Sequence, residues 1–393
     1  MNLLEQIDAI GSRLHSEAYP QKNLDNTGIL QQPPRCIPCE DETKRNALIA
    51  TMRAQMAADV KCGIREDCLN NGQCIGCPFA SPLPPPQIGL IIAARNEGRE
   101  NRLARQAEAK PPFLEETIAS ARGQNKFLKN VCVVDDGSEK AEVLSGVQLL
   151  RNDEPMGCSG ARHRGCVEGL DGCDSAAFLD PHMLIASRSF DRLARYAQIH
   201  RCFAYAGVTG HYSADLLRVK GFLKCKWTPG PQPKGFQRRT GMMGAAYVAN
   251  VDQLKDMGGW IVLPVPVGSD EECMSVLCAK HRIPIFADCD VQNYHEFRRG
   301  SADKRSEVAH QQAAPFDILG RDFNLSIALF HRILFADATW NMFKQSLKAQ
   351  GFNDTILSQA EEPEVLEYGS QLRERCAIGD AEFFFNFVPE GQP

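Results

Sequence analysis

The chain has 393 residues, 43% hydrophobic and 24% charged, the balance of an ordinary globular protein, and it exceeds the size of one typical core. A formal net charge of −5 argues against wholesale nucleic-acid binding. No apolar run reaches the roughly 18 residues of a membrane span, and the start, Met1-Asn2-Leu3-Leu4-Glu5-Gln6, lacks the basic-then-apolar order of a secretory leader. A cytoplasmic protein is expected.

Residues 1–35 read as a short amphipathic helical lead followed by a polar stretch ending at Pro33-Pro34. Residues 36–80 hold six of the 16 cysteines: Cys36 and Cys39 in one CxxC, then Cys62, Cys68, Cys74 and Cys77, ending in a second. Thiolates paired at this spacing can wrap one tetrahedral zinc, and a reducing compartment disfavours disulfides. A structural Zn²⁺ held by four of the six is expected, with disulfides, free thiols or an iron–sulfur cluster as the other readings. The ten dispersed cysteines read as small buried hydrophobes. Ser81-Pro82-Leu83-Pro84-Pro85-Pro86 is a stiff linker and marks a domain boundary.

From residue 86 to 300, short apolar runs alternate with helical segments. Strands are predicted at 88–94, 130–134, 147–150, 176–179, 204–209, 245–249 and 283–288, and helices at 112–122, 159–169, 187–199, 251–257 and 270–281. This alternation predicts an α/β fold, a mostly parallel sheet flanked by helices, with ligands gathered at the carboxyl ends of the strands. Residues 301–393 read as a helical extension, notably Asp322 to Gln350, with an apolar patch at Phe383-Phe384-Phe385-Asn386-Phe387.

The chemistry-bearing residues fall at strand ends. Asp180-Pro181-His182 follows the apolar run Ala176-Ala177-Phe178-Leu179, so a carboxylate and an imidazole emerge together from a buried strand. His295, in Tyr294-His295-Glu296-Phe297-Arg298, is the candidate third ligand, and one carboxylate with two imidazoles suits Mn²⁺, or Mg²⁺, on a diphosphate. Taken singly, such histidines are more often core or surface residues. Asp135 and Asp136, closing Val133-Val134, can accept from a ribose or uracil, although strand termination and capping also explain them. Arg162 and Arg164, at the start of a glycine-rich helix, suit phosphate oxygens or a solvated helix face. Asp270 and Glu271 stand at another helix start, where acids complement the helix dipole or face an acceptor hydroxyl; Asp270 is slightly preferred. Between Leu216 and Val251 there is no acid, and Lys224, Lys226 and Lys234 alternate with Trp227 and Phe236 among prolines. This stretch is expected to be a basic loop, either merely solvated or an acceptor-facing flap.

These residues, in this order, resemble the GT-A glycosyltransferases, most closely the polypeptide N-acetylgalactosaminyltransferases, over about residues 88–299. The family's Asp-x-His metal motif is matched by Asp180 and His182, and its His-x-Phe-Arg motif by His295 and Arg298. Its strand-end Asp pair is matched by Asp135 and Asp136, its phosphate-side arginine by Arg162, its Trp-containing loop around Trp227, and its sugar-contacting turn around Ala245. Departures are the alanines Ala245 and Ala246 where the family has glycines, and Val267-Gly268-Ser269-Asp270-Glu271 where it has Trp-Gly-Gly-Glu-Asn. The resemblance implies a GT-A fold, a UDP-sugar donor and a hydroxyl acceptor on a macromolecule, either protein Ser/Thr or hydroxymethylated pyrimidine in DNA. It also implies retention at the anomeric carbon, with Arg298 countering leaving-group charge. A nucleotidyltransferase with a similar sheet and a non-catalytic sugar-nucleotide-binding protein are the competing readings.

Overall fold

The structure, a computed structural model, describes residues 84–105, 112–219, 222–230, 235–243, 245–263, 265, 268–296 and 318–387. A central sheet forms on the apolar runs. Its nucleus is β1 (Ile88–Ala94), β2 (Leu128–Asp136), β3 (Gln148–Asn152) and β4 (Ser175–Leu179), parallel and in the order β3-β2-β1-β4. β1 and β4 are almost continuously buried, as strands covered on both faces must be. The covering helices include α1 (Arg99–Arg105), α2 (Leu114–Gln124) and α3 (Gly157–Glu168). α3 lies close on the sheet because Gly165 faces Ile91; a β-carbon there would meet the Ile91 side chain at 2.4 Å.

The other half of the sheet is mixed. Beyond β4 the order runs β10 (Ala246–Asn250), β6 (Phe203–Val208), β11 (Ile285–His295) and β5 (Met183–Leu184). β10 is antiparallel to both neighbours, and β6 and β11 are parallel. The helices α4 (Ser189–His200), α5 (Val251–Met257) and α6 (Asp270–Lys280) complete this part. β11 is longer than its apolar half, 283–288, predicted. A register shift between Asp288 and Gln292 absorbs the polar insertion, after which the strand pairs with Gly207 and Val208 and then with β5. Such bulges re-aim a strand, and here the bulge carries His295 to the sheet edge.

The acid-free stretch is strand rather than loop. β7 (His211–Val219) and β8 (Phe222–Pro229) form a hairpin, and β9 (Phe236–Arg239) pairs with β11. Pro229 ends β8 instead of breaking it, the position at which a proline costs a strand least. Among the described residues of this stretch, Arg218 is buried, Lys224 half-buried, and Arg239 lies 3.6 Å from Asp215, while Lys226 and Arg238 are exposed. Lys234 falls outside the described residues.

The helical stretch from Asp322 to Gln350 comprises α7 (Ile318–Leu334) and α8 (Asp337–Ala349), followed by α9 (Asp354–Gln359), α10 (Pro363–Arg375) and α11 (Asp380–Phe387). Their apolar faces join the same core as the sheet. Lys280, at the end of α6, is buried; its ammonium donates to Leu334 O and Asp380 Oδ1, both at 2.6 Å. No helix among the described residues is long and apolar enough to cross a membrane.

His331 pins α7 to the hairpin. Its Nε2 accepts from the Leu223 amide at 2.9 Å, so Nδ1 carries the hydrogen toward Ile327 O at 2.8 Å and the ring is neutral. Burial, aided by the Arg218 charge, pushes its pKa down to about 3. The folded value lies below the unfolded one, so the unfolded chain takes up this proton first. Stability is therefore lost as pH falls from about 6.5 toward 3, by roughly 1.4 kcal/mol per pH unit from this ring. Urea unfolding at pH 7 and pH 5 should show that loss, and His331→Phe should flatten the dependence while lowering stability at pH 7.

Candidate active site

Strand ends bring the site together. Asp180 leaves β4 with its amide bonded to Ala245 O at 3.0 Å. His182 directly precedes β5, whose antiparallel pairing with the end of β11 sets Met183 opposite His295. The Glu296 amide donates to His182 O at 3.2 Å and the His295 amide to Thr209 Oγ1 at 2.9 Å, fixing both imidazole-bearing backbones. One donor atom from each of Asp180, His182 and His295 lies within 4.8 Å of the others. His295 Nε2 is 3.3 Å from Asp180 Oδ2, and the two imidazole rings meet edge-on at 4.8 Å. A carboxylate and two imidazoles form a donor set that can hold a divalent cation.

Arg162 lies behind this group with only 3% of its side chain exposed. Its Nη2 donates to Asp180 Oδ1 at 2.7 Å and its Nη1 to Asp270 Oδ2 at 2.5 Å, with Glu271 Oε1 at 3.6 Å. Its planar cation sits over Trp260 and Tyr247, at 5.2 and 5.5 Å from their ring centres. Trp260 Nε1 donates to Asp270 at 3.1 Å and Tyr247 Oη to Glu271 at 2.9 Å. Burial would raise the Asp180 pKa, but the His295 hydrogen bond and the Arg162 charge outweigh it and hold the carboxyl well below the usual range. Burial and the Asp270 charge push Glu271 the other way, well above it. The two acids are thus set apart, one firmly ionised and the other inclined to keep its proton.

Several expected contacts lie elsewhere. Asp135 is fully buried: it accepts from the amides of Ser138 and Glu142 and pairs with Arg151 at the β2 exit. Asp136 accepts from Asn152 Nδ2 and from the amides of Met156 and Gly157, anchoring the start of α3. The capping role explains both acids. Arg162 is turned onto the carboxylates of Asp180 and Asp270. Arg164 is spent on Glu168, Arg151 O and Asn152 Oδ1. Asp270 is enclosed by Arg162 and Trp260, which leaves Glu271 the more accessible of that pair. Trp227, on β8, packs edge-on against His211 at 5.4 Å. Arg298 and the six clustered cysteines, Cys36, Cys39, Cys62, Cys68, Cys74 and Cys77, lie outside the described residues. Sequence reasoning missed Trp260; its signal was the pair of glycines, Gly258-Gly259, that turns it back under the sheet, both with positive φ.

Ala245 has φ +111°, a region that costs a side chain-bearing residue on the order of 1–3 kcal/mol. Its amide donates to Tyr247 Oη at 3.0 Å while its carbonyl holds Asp180, so the strain sits at the site itself. Ala245→Gly should raise stability by about 1 kcal/mol, a gain readable in denaturant unfolding. Arg162→Met leaves Asp180 and Asp270 without their shared cation. It should cost about 3–5 kcal/mol, whereas Arg162→Lys, which keeps the charge but not the fork, should cost less.

Residues 90–244 match the model of glycosyl transferase family 2. Among solved structures the fold resembles that of GalNAc-T7, determined with UDP, GalNAc and Mn²⁺, at 13% identity and a TM-score of 0.53, covering 77% of this chain. The chain spans 57% of that protein's length. Residues 1–349 of S. aureus TarS align at 13% identity and a TM-score of 0.40, covering 73% of this chain and 90% of that one. No curated protein matches the sequence. Residues 90–244 thus match a glycosyl transferase family 2 domain, set in a fold resembling that of GalNAc-T7.

Proposed function

We propose that the protein transfers a hexose or N-acetylhexosamine from a UDP-sugar to a hydroxyl of a macromolecular acceptor, in a reaction that depends on a divalent cation at Asp180, His182 and His295. The observation that carries this reading is the convergence of those three donor groups at the carboxyl ends of the strands, where α/β sheets bind nucleotides. A cation held there would stabilise the charge that develops on the departing diphosphate. The chain's own residues do the rest. Arg162 fixes Asp180 through one oxygen and leaves the other toward His295. Tyr247 holds Glu271 beside Arg162, where a protonated carboxyl can donate to a sugar or acceptor hydroxyl. Arg298, by its place in the motif, is assigned to the leaving group. Retention at the anomeric carbon follows from the same resemblance, as does the use of UDP.

The catalytic unit is assigned to residues 86–300, with 301–393 as a helical extension braced on α6 through Lys280. Residues 1–35 are assigned to a lead and 36–80 to a module for one Zn²⁺ held by four of its cysteines; both lie outside the described residues. Of the two acceptor classes, protein Ser/Thr is favoured. A DNA acceptor drew its support from a basic loop, and that stretch instead folds as strands with Arg218 and Lys224 turned into the protein.

UDP release from a panel of UDP-sugars, offered with Ser/Thr peptides and separately with hydroxymethylated duplex DNA, tests the reading. Activity should require Mn²⁺ or Mg²⁺, vanish in EDTA, and fall by at least about a hundredfold in Asp180→Ala or His295→Ala with the fold intact. Full activity in either variant would refute the metal role. Turnover of nucleoside triphosphates to pyrophosphate would instead identify a nucleotidyltransferase.

A further inference from the structure

Glu97 has no part in the assignments above, yet it stands directly behind one of the proposed ligands. Its side chain is 8% exposed, and its Oε2 lies 3.8 Å from Nδ1 of His182. The donor group of Asp180, His182 and His295 does not include it.

The backbone holding Glu97 is fixed from several sides. Glu142 Oε1 accepts from the amides of Glu97 and Gly98, both at 3.0 Å, and from Asn101 Nδ2 at 2.9 Å. Asn96 occupies the left-handed region at φ +58°, its amide donating to Ser138 Oγ at 2.8 Å and its Oδ1 accepting from the Glu139 amide at 2.9 Å. Ser138 and Glu142 are in turn held through their amides by buried Asp135. A charged carboxylate in so ordered and so covered a turn is costly unless it meets a cation or a donor. The imidazole it meets belongs to the cation group.

We propose that Glu97 is the positioning residue for His182: its carboxylate, with Oε2 3.8 Å from Nδ1, favours the tautomer with hydrogen on Nδ1 and the matching ring rotation, which leaves the Nε2 lone pair for the cation. A ligating histidine ordinarily gives its other ring N–H to a carboxylate or carbonyl, which orients the ring and raises its basicity. Asp180 shares its charge with Arg162, so Glu97 adds negative charge on the far side of His182, where it strengthens the field on a divalent cation. The chain Asp135–Glu142–Glu97–His182 then gives the Asp expected at the nucleoside a different task, at the base of the metal site's support.

This inference rests on the metal reading, and one experiment separates the two. Mn²⁺ binding to the full-length protein, without donor, is measured from the loss of the free-ion EPR signal; Mn²⁺ is chosen because thiolates prefer zinc. The wild type should bind one Mn²⁺ that Asp180→Ala loses. Glu97→Gln should bind it about 10- to 100-fold more weakly, with an unchanged unfolding midpoint in the metal-free protein. Glu97→Asp, which keeps the charge but withdraws it from Nδ1, should weaken binding in the same direction and decides the matter if Glu97→Gln does not fold. Wild-type Mn²⁺ binding that is lost in Asp180→Ala but unchanged in the Glu97 variants overturns the role of Glu97 alone. Absence of Mn²⁺ binding in the wild type overturns the metal reading and this inference together.

Discussion

The site depends on one buried cation. Arg162 is closed off from solvent between Asp180, Asp270 and Glu271 and roofed by Trp260 and Tyr247. A guanidinium in such a place is tolerated because its fork matches two carboxylates at once and its flat face matches two rings. The constraint acts in both directions. Asp180 comes from β4 and Asp270 from the start of α6, so the arginine ties the strand end that supplies a metal ligand to the helix that supplies the candidate substrate-facing acid. α6 in turn is anchored by Lys280 to the carboxyl-terminal helices, so these helices brace the site at a distance.

That arrangement also divides labour among the acids. Three carboxylates around one guanidinium carry more negative charge than it can neutralise. Asp180 keeps its charge because His295 and Arg162 both favour it, and Glu271, crowded by Asp270 and buried, is pushed toward its neutral form. Setting neighbouring carboxyls apart in this way is how a site assigns one to electrostatic work and another to hydrogen-bond donation. The remaining negative charge faces the side on which His182 and His295 stand.

Much of this was legible in the sequence, and the failures have physical causes. Continuous apolar runs gave β1, β2, β4, β6 and β10 nearly to the residue, because strands buried on both faces admit little else. β11 was only half visible, since its second half is polar and its bulge breaks the pattern. The β7–β8 hairpin was misjudged because prolines and lysines outweighed its alternation, although Pro229 only bounds the strand. At the site, Asp180, His182 and His295 could be grouped because strand ends converge in such sheets, a property of topology rather than of local sequence. What Asp135, Asp136 and Arg162 do could not be read. A strand-end acid or a helical arginine can point inward or outward, and only the packing of Arg151, Asn152, Trp260 and Tyr247 around them decides it.

The central claim is that Asp180, His182 and His295 form one divalent-cation site that presents a nucleotide diphosphate. Anomalous scattering at the manganese edge, from crystals grown with Mn²⁺ and UDP, tests it most directly. The account predicts a single strong peak bonded to all three side chains and to oxygens of the UDP diphosphate. UDP bound in the cleft with no manganese at these residues, or manganese bound elsewhere on the sheet edge, would contradict it.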